Sequence, residues 1–150
     1  MVGRHLSAAS KNGHGRVVEL LLSRRDIATN TQTKDGWTAL TVASYNGHEV
    51  VVKLLLSCRD IAINTQTKDG QTALSAASKN GHERVVELLL SCHDIAINTQ
   101  TKGGWTALSA ASYNGHEAVI KLLLSHRDVA DQRRSDGTRC SFQKWSRQSG

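Results

Sequence analysis

The chain of 150 residues contains no proline. Average usage would supply about seven prolines at this length, so a proline-rich linker and a collagen-like rod are both excluded. Aromatic residues are also scarce, with three Trp, two Tyr and one Phe. A core anchored on large rings is therefore excluded as well, and the apolar core has to come from Leu, Val, Ile and Ala. At this length a single domain is expected.

Cysteines and long apolar runs are the next shortages. Cys58, Cys92 and Cys140 are too few and too widely spaced for a disulfide framework or a zinc signature. No early apolar stretch resembles a signal peptide, and no apolar run approaches the ~18 residues of a membrane span. We therefore expect an intracellular protein, cytoplasmic or nuclear, with no membrane partner.

The formal net charge of +6 is unevenly distributed. Residues 131–150 hold five Lys and Arg against two Asp, so the body of the chain is close to balance. A basic segment favours nucleic acid, which makes a basic adaptor that binds nucleic acid through this tail the alternative function. Elsewhere nucleic acid is not an expected partner. The Ser, Arg and Gln content of the tail predicts disorder or a degenerate partial repeat.

What the chain does contain is a tandem repeat with a step of 34 residues. The recurring features are a Gly-His pair, a run of three Leu and an Asp; the Gly-His pairs lie at 13–14, 47–48, 81–82 and 115–116. A step of 68 matches slightly better, so odd and even repeats differ systematically. We predict repeats at about 1–29, 30–63, 64–97 and 98–130, which together form one domain over residues 1–130.

Each repeat has the pattern of two short helices and a polar connector. In the second repeat, residues 38–46 predict a first helix that ends at Gly47, and residues 49–57 predict a second helix with an apolar stripe. Helices of this length do not persist alone in water, so they must bury their apolar faces against neighbouring repeats. The sequence therefore predicts an all-α solenoid of four stacked helix pairs with finger-like connecting loops.

Residues 69–90 read D-G-Q-T-A-L-S-A-A-S-K-N-G-H-E-R-V-V-E-L-L-L. This pattern resembles the ankyrin-repeat motif, D-G-x-T-P-L-H-x-A-A-x-x-G-H-x-x-V-V-x-L-L-L. Two of the chain's departures from the motif concern the start of the first helix. The motif's proline is replaced by Ala39, Ala73 and Ala107, and its first His by Thr41, Ser75 and Ser109. We expect the second change to alter a local hydrogen bond.

The resemblance implies a non-enzymatic protein–protein interaction scaffold. Its concave face, formed by the fingers and the first helices, would meet a protein partner. Trp and Tyr are enriched in binding hot spots, and four of the six aromatics fall at these positions. The predicted partner-binding residues are Lys34, Asp35, Trp37, Tyr45, Lys68, Asp69, Gln71, Lys79, Lys102, Trp105 and Tyr113. The alternative for each Trp is that it only packs its finger onto the next repeat.

No catalytic residue, cofactor or metal is predicted. Stacked helices lie ~8–10 Å apart, so the equivalent histidines cannot share a zinc ion with ligands at ~2 Å. We expect each of these histidines to bond loop carbonyls instead. Asn64 and Asn98 occupy a position that can be hydroxylated in this family, but the acidic residue before it is missing here, and a structural asparagine is expected.

The two ends of the repeat array do not read as the polar capping repeats that a solenoid normally carries. Two interpretations follow. The chain is a piece of a longer array, which we favour, or residues 131–150 fold back as a cap. A monomer is expected.

Overall fold

The computed structural model describes residues 2–24 and 26–133. These residues form eight helices in four consecutive pairs. The first helices of the pairs are α1 (Val2–Lys11), α3 (Ala39–Asn46), α5 (Ala73–Lys79) and α7 (Ala107–Tyr113). The second helices are α2 (Gly15–Leu22), α4 (Glu49–Leu56), α6 (Glu83–Leu90) and α8 (Glu117–Arg133).

The pairs stack in chain order. Each first helix packs on the next first helix, and each second helix packs on the next second helix. The buried apolar side chains are Leu, Val, Ile and Ala together with Cys92, without a buried aromatic ring among the described residues. The all-α solenoid of four stacked helix pairs and its aliphatic core are thus confirmed.

Threonine begins three of the first helices. Thr38, Thr72 and Thr106 are extended N-cap residues whose hydroxyls accept a hydrogen bond from the backbone N–H three residues later. In the third and fourth repeats that later residue is a serine, and the Ser75 hydroxyl accepts the Thr72 N–H in return at 2.8 Å. This reciprocal pair is a capping box, which satisfies two helix-end donors. The serine that stands in place of the motif's histidine therefore takes part in a capping box in these two repeats.

Gly47 ends α3 in the left-handed conformation, with φ 73°. This conformation is costly for residues that carry a Cβ, so the predicted stop at Asn46-Gly47 is confirmed.

Helix α8 is longer than the sequence predicted. It runs to Arg133, whereas α4 and α6 end at Leu56 and Leu90. The connector that follows α4 buries Ile61, whereas the residues equivalent to that connector after the fourth repeat's second helix belong to α8.

Replacing each of two serines of α5 by alanine is expected to change the stability in opposite directions. Ser75 completes the capping box, whereas the Ser78 hydroxyl is fully buried with no hydrogen-bond partner among the described residues. Ser75→Ala should lower the free energy of unfolding by about 1 kcal/mol, and Ser78→Ala should raise it by about 1 kcal/mol, because a buried unpaired hydroxyl is destabilising. Urea denaturation of both variants measures this. Changes of the same sign would contradict the assignment of the two hydroxyls.

Candidate functional site

The fingers form a row that is bonded from one repeat to the next. Each finger is a tight loop, residues 33–37, 67–71 and 101–105, closed by a backbone bond such as Thr67 N–H to Gln71 O at 2.8 Å. The Lys68 N–H donates to Asp35 O at 2.7 Å, and the Lys102 N–H donates to Asp69 O at 2.9 Å. The fingertip side chains of Lys34, Lys68 and Lys102 remain exposed. The backbone of the row is therefore held while its charged side chains face solvent.

The repeated histidine links each repeat to the one before it. Nε2 of His48 donates to the carbonyl of Lys11 at 2.9 Å, and Nε2 of His82 donates to the carbonyl of Tyr45 at 2.9 Å. His116 donates in the same way to Lys79 at 3.0 Å. The expectation of a structural histidine is confirmed, but the acceptor is the end of the preceding repeat's first helix rather than a loop.

The same helix ends carry exposed candidate side chains. Tyr45 and Lys79 accept the histidine bonds through their carbonyls, and their side chains point to solvent. Tyr113 occupies the equivalent place in the fourth repeat and is 78% exposed. The main chain beneath Tyr45 and Lys79 is therefore fixed by the contact that stacks the repeats.

Two tryptophan–tyrosine pairs lie between the fingers and the first helices. The rings of Trp37 and Tyr45 are 5.3 Å apart at 89°, and those of Trp105 and Tyr113 are 5.3 Å apart at 83°. Edge-to-face pairs of this kind stabilise both rings. Each Trp thus contacts the first helix of its own repeat, a contact that the sequence alternatives did not include.

The two pairs differ in exposure. Trp37 is half-buried, whereas Trp105 is 42% exposed. The next finger lies close to Gly36, the residue before Trp37, because a Cβ placed on Gly36 would meet Lys68 N at 2.9 Å. A Cβ on Gly104 would meet nothing within 4 Å. Part of the exposure of Trp105 therefore comes from its position in the last described repeat.

A groove of about 500 Å³ lies between the third and fourth repeats. Six of the eleven predicted partner-binding residues line it: Asp69, Gln71, Lys79, Lys102, Trp105 and Tyr113. The groove's remaining lining residues were missed by the sequence analysis: Ser75, Thr101, Gly103, Thr106, Ala110 and Asn114. Most of these residues have small side chains, which leave the space that forms the groove. No sequence motif marks them as part of a site.

The other five predicted residues lie away from this groove's lining. Lys34, Asp35, Trp37 and Tyr45 belong to the second repeat, and Lys68 lies on the finger next to Asp69. The structure therefore divides the predicted site into one cluster at the third and fourth repeats and a second group made of four residues of the second repeat and Lys68. The two groups lie along the same row of fingers and first helices.

Asn64 has a structural role, as expected. Its side-chain N–H donates to Asp94 O at 2.8 Å, and its Oδ1 accepts the Ala96 N–H at 2.8 Å. Asn30 makes the same two contacts one repeat earlier. For Asn98 the corresponding residues, 128 and 130, belong to α8.

The candidate chemistry elsewhere is limited. Burial first, and then the carboxylate of Asp60, raises the pKa of the Cys58 thiol, which keeps it protonated and a weak nucleophile. The described residues contain no group of three or more side chains able to hold a metal ion.

Cys140 and the tail from residue 134 onward lie outside the described residues. The nucleic-acid alternative and the proposed cap both depend on this tail.

A family model described as ankyrin repeats (3 copies) matches residues 5–101 and, in a second placement, residues 59–136. The chain belongs to the ankyrin-repeat family. Ankyrin repeats are generally protein–protein interaction modules and are typically non-enzymatic. The search of curated proteins found no match to add to this assignment. Among the described residues of this ankyrin array, no helix is both long enough and apolar enough to cross a bilayer.

The histidine link predicts a difference between two equivalent residues. His82→Ala should lower the free energy of unfolding by about 1–2 kcal/mol, because the bond to the Tyr45 carbonyl is lost. His14 is exposed and has no preceding repeat among the described residues. His14→Ala should therefore change the stability by less than about 0.5 kcal/mol. Chemical denaturation compares the two variants, and equal losses would contradict the linking role.

Proposed function

We propose that this ankyrin array is a non-enzymatic scaffold that binds a protein partner on its concave face. The binding would centre on the groove between the third and fourth repeats. The observation that carries the proposal is the meeting of Lys79, Lys102, Trp105 and Tyr113 around one groove of about 500 Å³. Trp and Tyr are among the residue types that dominate protein-binding hot spots.

The way these side chains are held supports binding at low entropic cost. The finger that carries Lys102 is bonded to its neighbour through its backbone, and the end of α5 at Lys79 is bonded to His116. Trp105 is oriented by its edge-to-face contact with Tyr113. A surface that is ordered before binding loses less freedom when a partner docks.

The chemistry of the groove favours a mixed contact. Two lysines and one acidic residue, Asp69, lie on its rim beside the two rings. A partner segment with an apolar side chain flanked by a carboxylate fits this arrangement, since the ring faces would cover the first and the lysines would pair with the second. Such rim charges act mainly on specificity and association rate.

The test begins with a protein partner recovered by affinity capture and then compares two double variants. The groove variant is Lys79→Glu with Tyr113→Ser, and the control is Lys53→Glu with Lys121→Glu on the second helices. All four residues are exposed, so both variants should still fold. Thermal melting of each is measured beside binding, because Tyr113→Ser removes the ring contact to Trp105. Binding of the partner should weaken at least about tenfold, or ~1.4 kcal/mol, in the groove variant alone. Isothermal titration calorimetry measures the dissociation constants.

Two results would contradict the proposal. The first is binding that survives the groove variant but weakens in the second-helix control. The second is binding that depends steeply on salt and disappears when residues 131–150 are deleted, which would favour the basic-adaptor alternative.

A further inference from the structure

The fourth repeat's finger, residues 101–105, lacks a charge that the two preceding fingers carry. Asp35 and Asp69 follow the fingertip lysine in those fingers, whereas Gly103 follows Lys102 in the fourth repeat. The first two of these fingertips therefore join a cation to an anion, and the fourth repeat's fingertip carries a cation alone.

The backbone of the finger does not require glycine at this place. Gly103 lies outside the positive-φ region, in contrast to Gly104, which has φ 82°. In the finger that carries Asp69, the turn closes with a bond of 2.8 Å from Gly70 N–H to Thr67 O, and the same bond in the fourth repeat's finger is 2.9 Å long. An aspartate therefore fits this turn, and its absence at position 103 removes a negative charge without changing the backbone.

The indole ring of Trp105 lies against Gly103. A Cβ placed on Gly103 would meet Trp105 Cδ1 at 3.1 Å and Trp105 Nε1 at 3.5 Å. The edge of the ring that carries the N–H group therefore lies beside the residue that is aspartate in the other two fingers. Within the described residues this N–H, which can only donate, has no hydrogen-bond partner. It is available to an acceptor that a partner supplies.

The cations of the groove are also unpaired. The charged residues that line the groove are Asp69, Lys79 and Lys102. Neither ammonium group forms an ion pair in the part of the chain that the structure describes. Two ammonium groups and one indole N–H thus line a groove that has a single carboxylate. Hydrogen bonds from such donors to an added carboxylate are charge-assisted, which makes them roughly twice as strong as neutral ones.

We propose that the groove between the third and fourth repeats binds a carboxylate of the partner, an Asp or Glu side chain next to an apolar residue. Gly103 determines this preference, because it leaves Lys102 and the Trp105 indole N–H without a carboxylate on their own finger. The partner supplies the negative charge that the second and third repeats' fingers carry themselves. This preference rests on the proposed function, since it concerns the same groove.

Two isosteric substitutions at position 103 separate charge from space. Gly103→Asn and Gly103→Asp both add a Cβ, from which the indole has to move by a few tenths of an ångström. Only the aspartate also adds a carboxylate, which would pair with Lys102 and repel the carboxylate of the partner. Gly103→Asp should therefore lower the affinity for an acidic segment, and Gly103→Asn should largely preserve it.

The test is an NMR titration of the isotope-labelled full-length chain with two acetylated and amidated peptides, Gly-Leu-Glu-Leu-Gly and Gly-Leu-Gln-Leu-Gly. The Trp105 indole N–H resonance, identified by its loss in Trp105→Phe, reports binding beside Gly103. The parent should bind the Glu peptide at least about threefold more tightly than the Gln peptide. This preference should disappear in Gly103→Asp and remain at least about twofold in Gly103→Asn.

The matched control for net charge is Ala118→Asp. Ala118 is exposed in the first turn of α8, away from the groove lining, and the substitution changes the net charge by the same amount as Gly103→Asp. This variant should keep the preference of the parent. If Gly103→Asp fails to fold, Asp69→Asn tests the same charge balance in the opposite direction. It should raise the affinity for the Glu peptide at least about twofold, and an unchanged affinity would overturn the proposal.

Other results would overturn the proposal as well. Equal affinities of the parent for the two peptides would do so, as would a Trp105 indole N–H resonance that does not shift with either peptide up to about 10 mM. A preference that survives in Gly103→Asp would exclude the charge at position 103 as its cause. A preference that Gly103→Asn abolishes would assign it to the position of the ring instead.

A captured protein partner separates this preference from the proposed function. Binding that weakens at least about tenfold in Lys79→Glu with Tyr113→Ser, but is unchanged in Gly103→Asp, would support the groove and overturn the carboxylate preference. Binding that weakens in both supports the two together. Binding that neither change weakens contradicts the proposed function, and the peptide titration then decides on the carboxylate preference of the groove by itself.

Discussion

The histidine that each repeat places on a glycine of the repeat before it is the contact on which the rest of the architecture depends. Most of the helices have ten residues or fewer, too few to persist without neighbours, so the fold exists only as far as the repeats hold one another. The glycine is required twice at this point. A Cβ on Gly47 would meet His82 Nδ1 at 2.5 Å, and the backbone there has φ 73°. Turn, helix stop and stacking contact thus share one residue.

The contact that stacks the repeats also presents the candidate binding face. The carbonyls of Tyr45 and Lys79 accept the histidines, while the side chains of the same residues face solvent. A substitution at such a side chain leaves the stacking bond intact, since the bond uses only the backbone. The stacking bond is therefore independent of the side chain at this position, which allows the exposed row to vary between Lys and Tyr without loss of that bond.

The fold was largely predictable because its causes are local and repeated. Glycine at the helix end, threonine before the helix and the aliphatic pattern are each legible in one repeat, and the 34-residue step multiplies them. The site was only partly predictable. Its exposed aromatics and lysines stand out in the sequence, but the groove between them depends on small residues such as Ser75 and Ala110, whose role appears only when two repeats are placed together. The acceptor of His82 lies 37 residues earlier, in the preceding repeat, and the continuation of α8 to Arg133 has no signal in the repeat pattern.

On the proposed binding face, the two-repeat alternation sets the spacing of the aromatic pairs. The aromatic pairs at Trp37–Tyr45 and Trp105–Tyr113 are two repeats apart, with Lys79 on the helix between them. Stacked helices ~8–10 Å apart place the two pairs about 16–20 Å apart. An extended chain covers that distance in about five or six residues. A partner that engages both pairs must therefore offer apolar groups at this separation and tolerate a cation midway, which a uniformly apolar or uniformly basic segment does not. Under the proposed function, the pair of repeats rather than the single repeat would therefore be the unit of recognition.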